Sequence, residues 1–356
     1  MATSPLDHAD LRRRVSAALA AHLAHQRPRL TAISPDLAPL ADALSAFLLD
    51  GGKRLRPAFA YWGWRGAGGA DGDEIVAAVA ALEFVQACAL VHDDVMDGSD
   101  TRRGQPAVHR RFAALHRESG WRGDPDGFGT AAAILLGDTC LIWADEMLNT
   151  SGLPAEALLR GQPVYDEMRT EIMAGQYLDV LGQAMGDATV ERAMAIVRYK
   201  SAKYTVERPL HFGAALAGGS PELAAAYSAY GLPLGEAFQL RDDVLGVFGD
   251  PAETGKPAGD DLREGKRTVL VAKTLERATP AQAVMVEQHL GDPDLDDAGI
   301  AAVRELITSS GALAETEKLI AELTERALAA LDADGLDPES ADVLRELAVA
   351  ATARRV

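Results

Sequence analysis

Apolar residues along this chain recur at helical spacing, and the alternation that marks half-buried strands is rare. The pattern predicts helices over 36–50, 74–97, 130–149, 162–185, 189–217, 221–248, 266–277 and 279–290. Two or three more, amphipathic and charged, follow between 297 and 352. Gly51-Gly52 closes the first helix, and Asp71 and Asp73 are candidate caps for the second. The segment HRESGWRGDPDGFG, 116–129, reads as a loop. Two stretches, 75–92 and 130–144, are apolar nearly all round and belong inside a large bundle. With no repeat and no low-complexity linker, the expectation is one all-α domain over 1–356. Its motifs lie within about 40–270, and the C-terminal helices occupy 271–356. Segments 1–35 and 300–356 carry no readable chemistry.

Composition narrows the function. Hydrophobic residues make up 48% and charged residues 25% of 356 residues, ordinary for a globular protein. The net charge of −18 argues against nucleic acid and anionic membranes as partners. An anionic substrate would therefore have to be held by local basic clusters or metals. No run of about 18 uninterrupted apolar residues occurs, so no membrane span is expected. The N-terminus lacks a signal-peptide pattern. Cys88 and Cys140 lie in apolar stretches without metal-ligand spacing, which points to a reducing, cytoplasmic setting.

Two acidic motifs carry the candidate chemistry. HDDVMD, 92–97, ends the long apolar helix. Asp93 and Asp97 lie one turn apart on one face, where like charges repel and the helix C-terminus disfavours negative charge. A cation relieves both penalties, and oxygen ligands with room for phosphate suit Mg²⁺. The apolar lead-in places these carboxylates at the mouth of an apolar interior, with Asp94 between them. RDDVLG, 241–246, repeats the arrangement with Asp242 and Asp243. A turn, Gly249-Asp250-Pro251, and two lysines, Lys256 and Lys266, follow. Two Asp pairs on separate helices can hold a metal cluster between them, with lysines as point charges for phosphate.

Basic motifs supply the counterpart. GGKRLRP, 51–57, sets Lys53, Arg54 and Arg56 behind two glycines, and Arg102-Arg103-Gly104 follows the first acidic motif. In an acidic protein these look like diphosphate sites. Lys200 and Lys203 in RYKSAKY lie on a further helix. His92 reads as a helix-end histidine that orients a neighbour rather than as a base.

With GGKRLRP, HDDVMDGSDTRRG, GQYLD, YKSAKY and FQLRDDVLGVFGDPAETGK in order, the chain resembles the trans (E-type) polyprenyl diphosphate synthases, which include farnesyl and geranylgeranyl diphosphate synthases. The resemblance implies an all-helical fold of the type I isoprenoid synthase kind with a central apolar cavity. It implies Mg²⁺, three ions per site, held mainly by Asp93, Asp97 and Asp242, with Asp94 and Asp243 in support. Lys53, Arg56, Gln86 and Arg103 would grip isopentenyl diphosphate. Arg102, Lys200, Lys256 and Lys266 would hold the allylic diphosphate: dimethylallyl, geranyl or farnesyl. Gln176, Asp179, Ser201, Tyr204 and Gln239 would line the same cavity, and a homodimer is implied. The second motif departs from the family's DDxxD, with Gly246 at the third acidic position.

The resemblance also implies the chemistry. Metals and cations stabilise the departing diphosphate, the isopentenyl double bond attacks the allylic cation, and a proton is then lost, so no side-chain nucleophile is required. The helix before Asp93 rises about 5.4 Å per turn, roughly one isoprene unit, and should wall the product pocket. Ala89 and Cys88 are small where family members making short products often carry an aromatic residue. Val85 and Leu82 are the next candidates for a floor, so a C20 product is expected. A class I terpene cyclase or a head-to-head squalene or phytoene synthase has no need of the second diphosphate site that GGKRLRP and the Arg pair provide. A non-catalytic synthase subunit would be expected to lose acidic ligands, and both Asp pairs are intact.

Overall fold

A computed structural model describes residues 5–186, 188–250, 259–332 and 336–352. Among them the fold is all-α, apart from a hairpin of two two-residue strands, β1 (Thr101–Arg102) and β2 (Gln105–Pro106). The helices that build the first half are α1 (Leu11–Ile33), α2 (Ala38–Leu49), α3 (Leu55–Gly66), α4 (Asp73–Met96), α5 (Val108–Glu118) and α6 (Pro125–Asn149). Then come α7 (Ala155–Met185), α8 (Val190–Ile196), a π-helical segment (Val197–Glu207), α9 (Arg208–Ala217) and α10 (Pro221–Phe248). A single turn, α11 (Asp260–Arg263), precedes α12 (Val269–Arg277), α13 (Pro280–His289), α14 (Asp297–Ser309), α15 (Ala312–Ala330) and α16 (Pro338–Thr352).

Helix α4 is the axis of the molecule. Ile75, Val79, Leu82, Phe84, Val85 and Val91 are fully or almost fully buried, against α1, α3 and α6. Two apolar cores meet on α10. Tyr227, Tyr230, Leu234 and Phe238 belong to the core around α4, whereas Leu240, Val244 and Val247 belong to a second core with α12, α14 and α15. The C-terminal ends of α4 and α10 therefore both reach one crevice between the cores.

Several boundaries differ from expectation. Gly72, not Asp71 or Asp73, is the N-cap of α4; Asp71 instead pairs with Arg14 of α1 at 2.9 Å. Helices α5 and α6 invade the expected 116–129 loop, because Asp124 caps α6 by accepting from the Asp126 and Gly127 N–H groups, with Pro125 at the first helical position. Helix α7 starts before Gly161 and runs through Pro163. The expected 189–217 helix is broken into α, π and α registers. Pro209 at its second break has no N–H to leave unpaired. The N-terminal segment, in which the sequence shows no readable chemistry, forms α1, whose Leu11, Val15, Leu19 and Leu23 serve packing by joining the core.

Helices α4 and α6 are both long and apolar enough to cross a membrane by length and composition. The most apolar 18-residue window of α4 is 72% buried within the bundle, but that of α6 only 39%. The expectation that α6 is wholly interior is thus corrected. Ile134, Leu135 and Ile142 are 44%, 62% and 65% exposed along one side of it.

Candidate active site

The last turn of α4 delivers the first acidic motif. Asp93 accepts from Lys200 Nζ at 3.0 Å and from Gln176 Nε2 at 3.1 Å. Burial alone would raise its pKa, but Lys200, Lys266 and Arg102 outweigh burial and hold the carboxyl well below the usual range. Asp94 is fully buried and accepts from Arg102 Nε at 2.9 Å, so its task is to fix that arginine. Asp97 is pushed up to about 6, chiefly by burial, with Lys266 opposing and Asp93 adding to the rise. Its buried Oδ2 has no hydrogen-bond partner, although Lys266 Nζ lies 3.2 Å away.

The basic residues are aimed by unusual backbone. The turn between β1 and β2 holds Arg103 and Gly104 at φ of 54° and 72°, as a two-residue hairpin loop with both centres left-handed requires. This sends Arg102 toward Asp93 and Asp94, and Arg103 over the Phe47 ring, 5.6 Å from its centroid. In the other basic loop, Gly51 and Gly52 at φ of 96° and 100° lead into Arg54 at 55°. Arg54 is buried, paired with Glu83 and donating to Leu48 O at 2.6 Å. It clamps the loop and does not reach the cavity, unlike its neighbours Lys53 and Arg56. Arg56 donates to Thr205 Oγ1 at 2.7 Å and lies 4.3 Å over the Tyr204 ring.

Three further elements close the site. The π-helical segment presents Lys200, Ser201 and Tyr204. Lys200 Nζ also donates to Asp179 Oδ2 at 2.6 Å. Its pKa is raised because Asp93 and Asp179 outweigh the lowering effect of burial. Helix α7 contributes Ile172, Gln176 and Asp179 from one face. It packs so closely on the π segment that a Cβ on Gly175 would stand 2.3 Å from Lys200 N. Helix α10 brings Gln239, Asp242 and Asp243. Asp243 accepts from Gln239 Nε2 at 2.8 Å and is pushed up to about 8, mainly by burial, with Asp261 and Asp242 adding to it.

Most of these groups line one cavity of about 640 Å³, but Asp94 and Asp97, expected at the site, are not among its lining residues. Lys53, Arg56, Gln86, Ala89, Asp93, Arg102, Arg103, Gln176, Asp179, Lys200, Ser201, Tyr204, Gln239, Asp242, Asp243 and Lys266 all reach it. Lys256 lies outside the described residues. Cys88 and Val85 are buried without reaching the cavity. The Cys88 Sγ lies 3.6 Å from His92 Nδ1. His92 Nε2 lies 3.0 Å from Ile134 O of α6; that carbonyl only accepts, so Nε2 carries the proton. A Cβ on Gly137 would meet that ring at 2.1 Å, so Cys88 and His92 form the tight α4–α6 seam. Sequence reasoning missed Asp260 and Asp261, which also line the cavity. They form an acidic pair in plain view in PAGDDLREGK, but outside the DDxxD spacing.

The donors suit magnesium. Asp93 of α4 and Asp242 of α10 both line the cavity, and Asp97, which does not line it, is tied to the cavity-lining Lys266 at 3.2 Å; all three are hard oxygen ligands. Among the described residues no three His, Cys, Asp or Glu side chains are drawn together as a ready-made metal cage. Instead Lys200, Lys266 and Arg102 neutralise the carboxylates. That fits an ion bound by one or two carboxylates per metal with substrate oxygens completing the shell.

Comparison with known proteins agrees. The polyprenyl synthetase family model matches residues 38–307. A crystal structure of geranylgeranyl pyrophosphate synthase from Corynebacterium glutamicum, complexed with isoprenyl diphosphate and magnesium, superposes with a TM-score of 0.94 at 45% identity, covering 97% of this chain and 99% of that one. The geranylfarnesyl diphosphate synthase of Aeropyrum pernix is 32% identical over 88% of this chain and 93% of its own length. The octaprenyl diphosphate synthase of Escherichia coli is 32% identical over 79% and 80%. This chain belongs to the polyprenyl synthetase family.

Proposed function

We propose that the chain condenses isopentenyl diphosphate with an allylic diphosphate, head to tail, to give a linear trans-prenyl diphosphate, geranylgeranyl diphosphate (C20) foremost. One observation carries this. This cavity holds two cationic groups of different character. Arg102, Lys200 and Lys266 are interleaved with the acidic motifs, whereas Arg56 has no carboxylate partner among the described residues and stands by Lys53, Gln86 and Arg103. The first group suits a diphosphate that arrives with metal, the second a diphosphate that arrives without it. A cyclase acting on one substrate has no use for the second.

Asp93, Asp97 and Asp242 would hold the magnesium ions, three per site, with Asp94 and Asp243 behind them; bound Mg²⁺ supplies electrostatic stabilisation of the leaving diphosphate. Lys200 and Lys266 have raised pKa values and stay cationic throughout the working range, Lys200 because Asp93 and Asp179, and Lys266 because Asp261 and Glu264, outweigh the lowering effect of burial. With Arg102, which Asp94 fixes, they orient the allylic diphosphate. The allylic C–O bond breaks with its electrons leaving on diphosphate, the isopentenyl double bond attacks the cation, and the departing diphosphate takes the released proton. Ala89, Leu90, Ile172 and Phe238 give the chain an apolar wall that excludes water from the cation. The small Ala89 supports a product longer than farnesyl diphosphate.

The exposed apolar side of α6 supports a homodimer, and two free buried cysteines suit a cytoplasmic location. The test is incubation with isopentenyl diphosphate, Mg²⁺ and dimethylallyl, geranyl or farnesyl diphosphate in turn, followed by chromatography of the dephosphorylated products. Elongation to C20 that EDTA abolishes is expected. A cyclised hydrocarbon from one allylic substrate alone would sink the reading.

A further inference from the structure

We propose that Asp261, a residue of α11, supplies the third carboxylate of the second acidic cluster, and that Gly246 is the space kept clear for it. Gly246 lies one turn after Asp242 on α10 and so shares its face. It is the position at which a DDxxD motif would place its last carboxylate. A Cβ built there would stand 1.9 Å from Asp261 Oδ2 and 2.4 Å from its Cγ. Contacts that close do not occur between non-bonded atoms, so a side chain at 246 and the present placement of Asp261 exclude each other. The carboxylate has not been lost from the cavity. It enters within 2 Å of where the helix-borne side chain would leave the backbone, but from another element.

Asp261 is held in that place by its own turn. Gly259 starts α11 at φ 73°, and Lys266 N donates to Asp261 O at 3.0 Å. The Lys266 ammonium lies 3.5 Å from Asp261 Oδ1 and 3.2 Å from Asp97 Oδ2. One lysine thus ties the loop-borne carboxylate to the first acidic motif. Gly246 and Asp261 both line the cavity.

The inference rests on the magnesium–diphosphate reading of the site, and the experiment separates the two. Thermal stabilisation of the full chain is titrated with Mg²⁺ in the presence of inorganic diphosphate, with no turnover involved. Asp261→Asn, which keeps the shape, and Asp261→Gly are each expected to raise the Mg²⁺ concentration for half-maximal stabilisation about tenfold, the lower end of what losing a supporting ligand partner costs. Gly246→Asp alone places two carboxylates in one space; it should weaken Mg²⁺ response and lower the melting temperature. The double variant Gly246→Asp/Asp261→Gly should return to within about threefold of wild type, a strongly non-additive result. A double variant no better than Asp261→Gly, or Asp261→Asn that titrates like wild type, overturns the proposal while leaving the site reading intact. Wild type that gains no stability from Mg²⁺ and diphosphate overturns the site reading, and this inference with it.

Discussion

Arg54 and Arg56 stand two residues apart in one basic motif and do opposite work. Arg54 is 4% exposed and spends its charge on Glu83, whereas Arg56 looks into the cavity. Removing one partner of a buried pair strands the other, at about 3–5 kcal/mol. Arg54→Met should therefore lower the urea midpoint by that equivalent, and Arg54→Met/Glu83→Leu should recover most of it. Arg56→Met should leave the midpoint nearly unchanged and raise KM for isopentenyl diphosphate about tenfold or more, since a hydrogen bond to a charged group contributes about 1.5–3 kcal/mol. Equal loss of stability in both variants would remove the distinction. A second residue sets a pH response. His22 packs edge-on against Phe84 and Trp143, at 5.3 and 6.2 Å between ring centroids. Its pKa is lowered, first by burial and then by His25 and Arg29, against the opposing Glu146. The folded state therefore prefers neutral His22, and the unfolded chain binds the proton more readily. That stability is present above the unfolded pKa of about 6.5 and is lost as pH falls below it. His22→Phe keeps the ring and removes the titration. Its melting temperature should gain on wild type as pH drops from about 7.5 to about 5.5, and a constant difference would refute the assignment.

At the scale of elements, long apolar helices were legible and the seams between them were not. Helix α10 matches its expected span, because Ser220-Pro221 and Gly249 punctuate it at both ends. The π-helical segment has no sequence signal beyond Pro209, yet it carries Lys200, Ser201 and Tyr204. The site residues were readable because motif spacing survives a change of register. Which side of α4 faces the cavity was only half readable. Gln86, Ala89, Leu90 and Asp93 form the cavity face, and Cys88 lies on the seam with α6. Ala89 and Cys88, both small and adjacent in sequence, are therefore not equivalent. Ala89→Phe should shorten the product by at least one five-carbon unit without much change in stability. Cys88→Tyr should instead overpack the seam, at about 1–3 kcal/mol or more, and lower the melting temperature. Chromatography of products beside a thermal melt separates the outcomes, and a full-length product from Ala89→Phe would move the floor to another helix.

For the molecule as a whole, net charge and surface pattern pull in opposite directions. A charge of −18 makes two copies repel, but beyond about 8 Å that repulsion is screened at physiological ionic strength. What acts at contact is the side of α6 where Ala131, Leu135 and Ile142 recur at helical spacing with Ile134 beside them, interrupted by Asp138. Such an apolar stripe on a helix otherwise packed against α4 and α5 is what a second copy would cover. Long-range repulsion and short-range apolar burial give association a definite salt response: the dimer should tighten as salt rises, whereas an ion-paired interface would loosen. Leu135→Glu/Ile142→Glu places two more negative charges beside Asp138 and should remove the proposed dimer, leaving monomer in sedimentation velocity. Because both side chains are largely exposed in the single chain, at 62% and 65%, the monomer should keep its helical circular dichroism. Loss of the helical signal together with association would show that this face supports the fold itself, and a dimer that survives both charges would place the interface elsewhere. The α4–α6 seam at His92 and Gly137 lies on the other side of the same helix. Pairing through α6 would therefore brace the wall that carries Ala89 and Asp93, so the monomeric variant is expected to lose kcat more than it loses affinity for Mg²⁺.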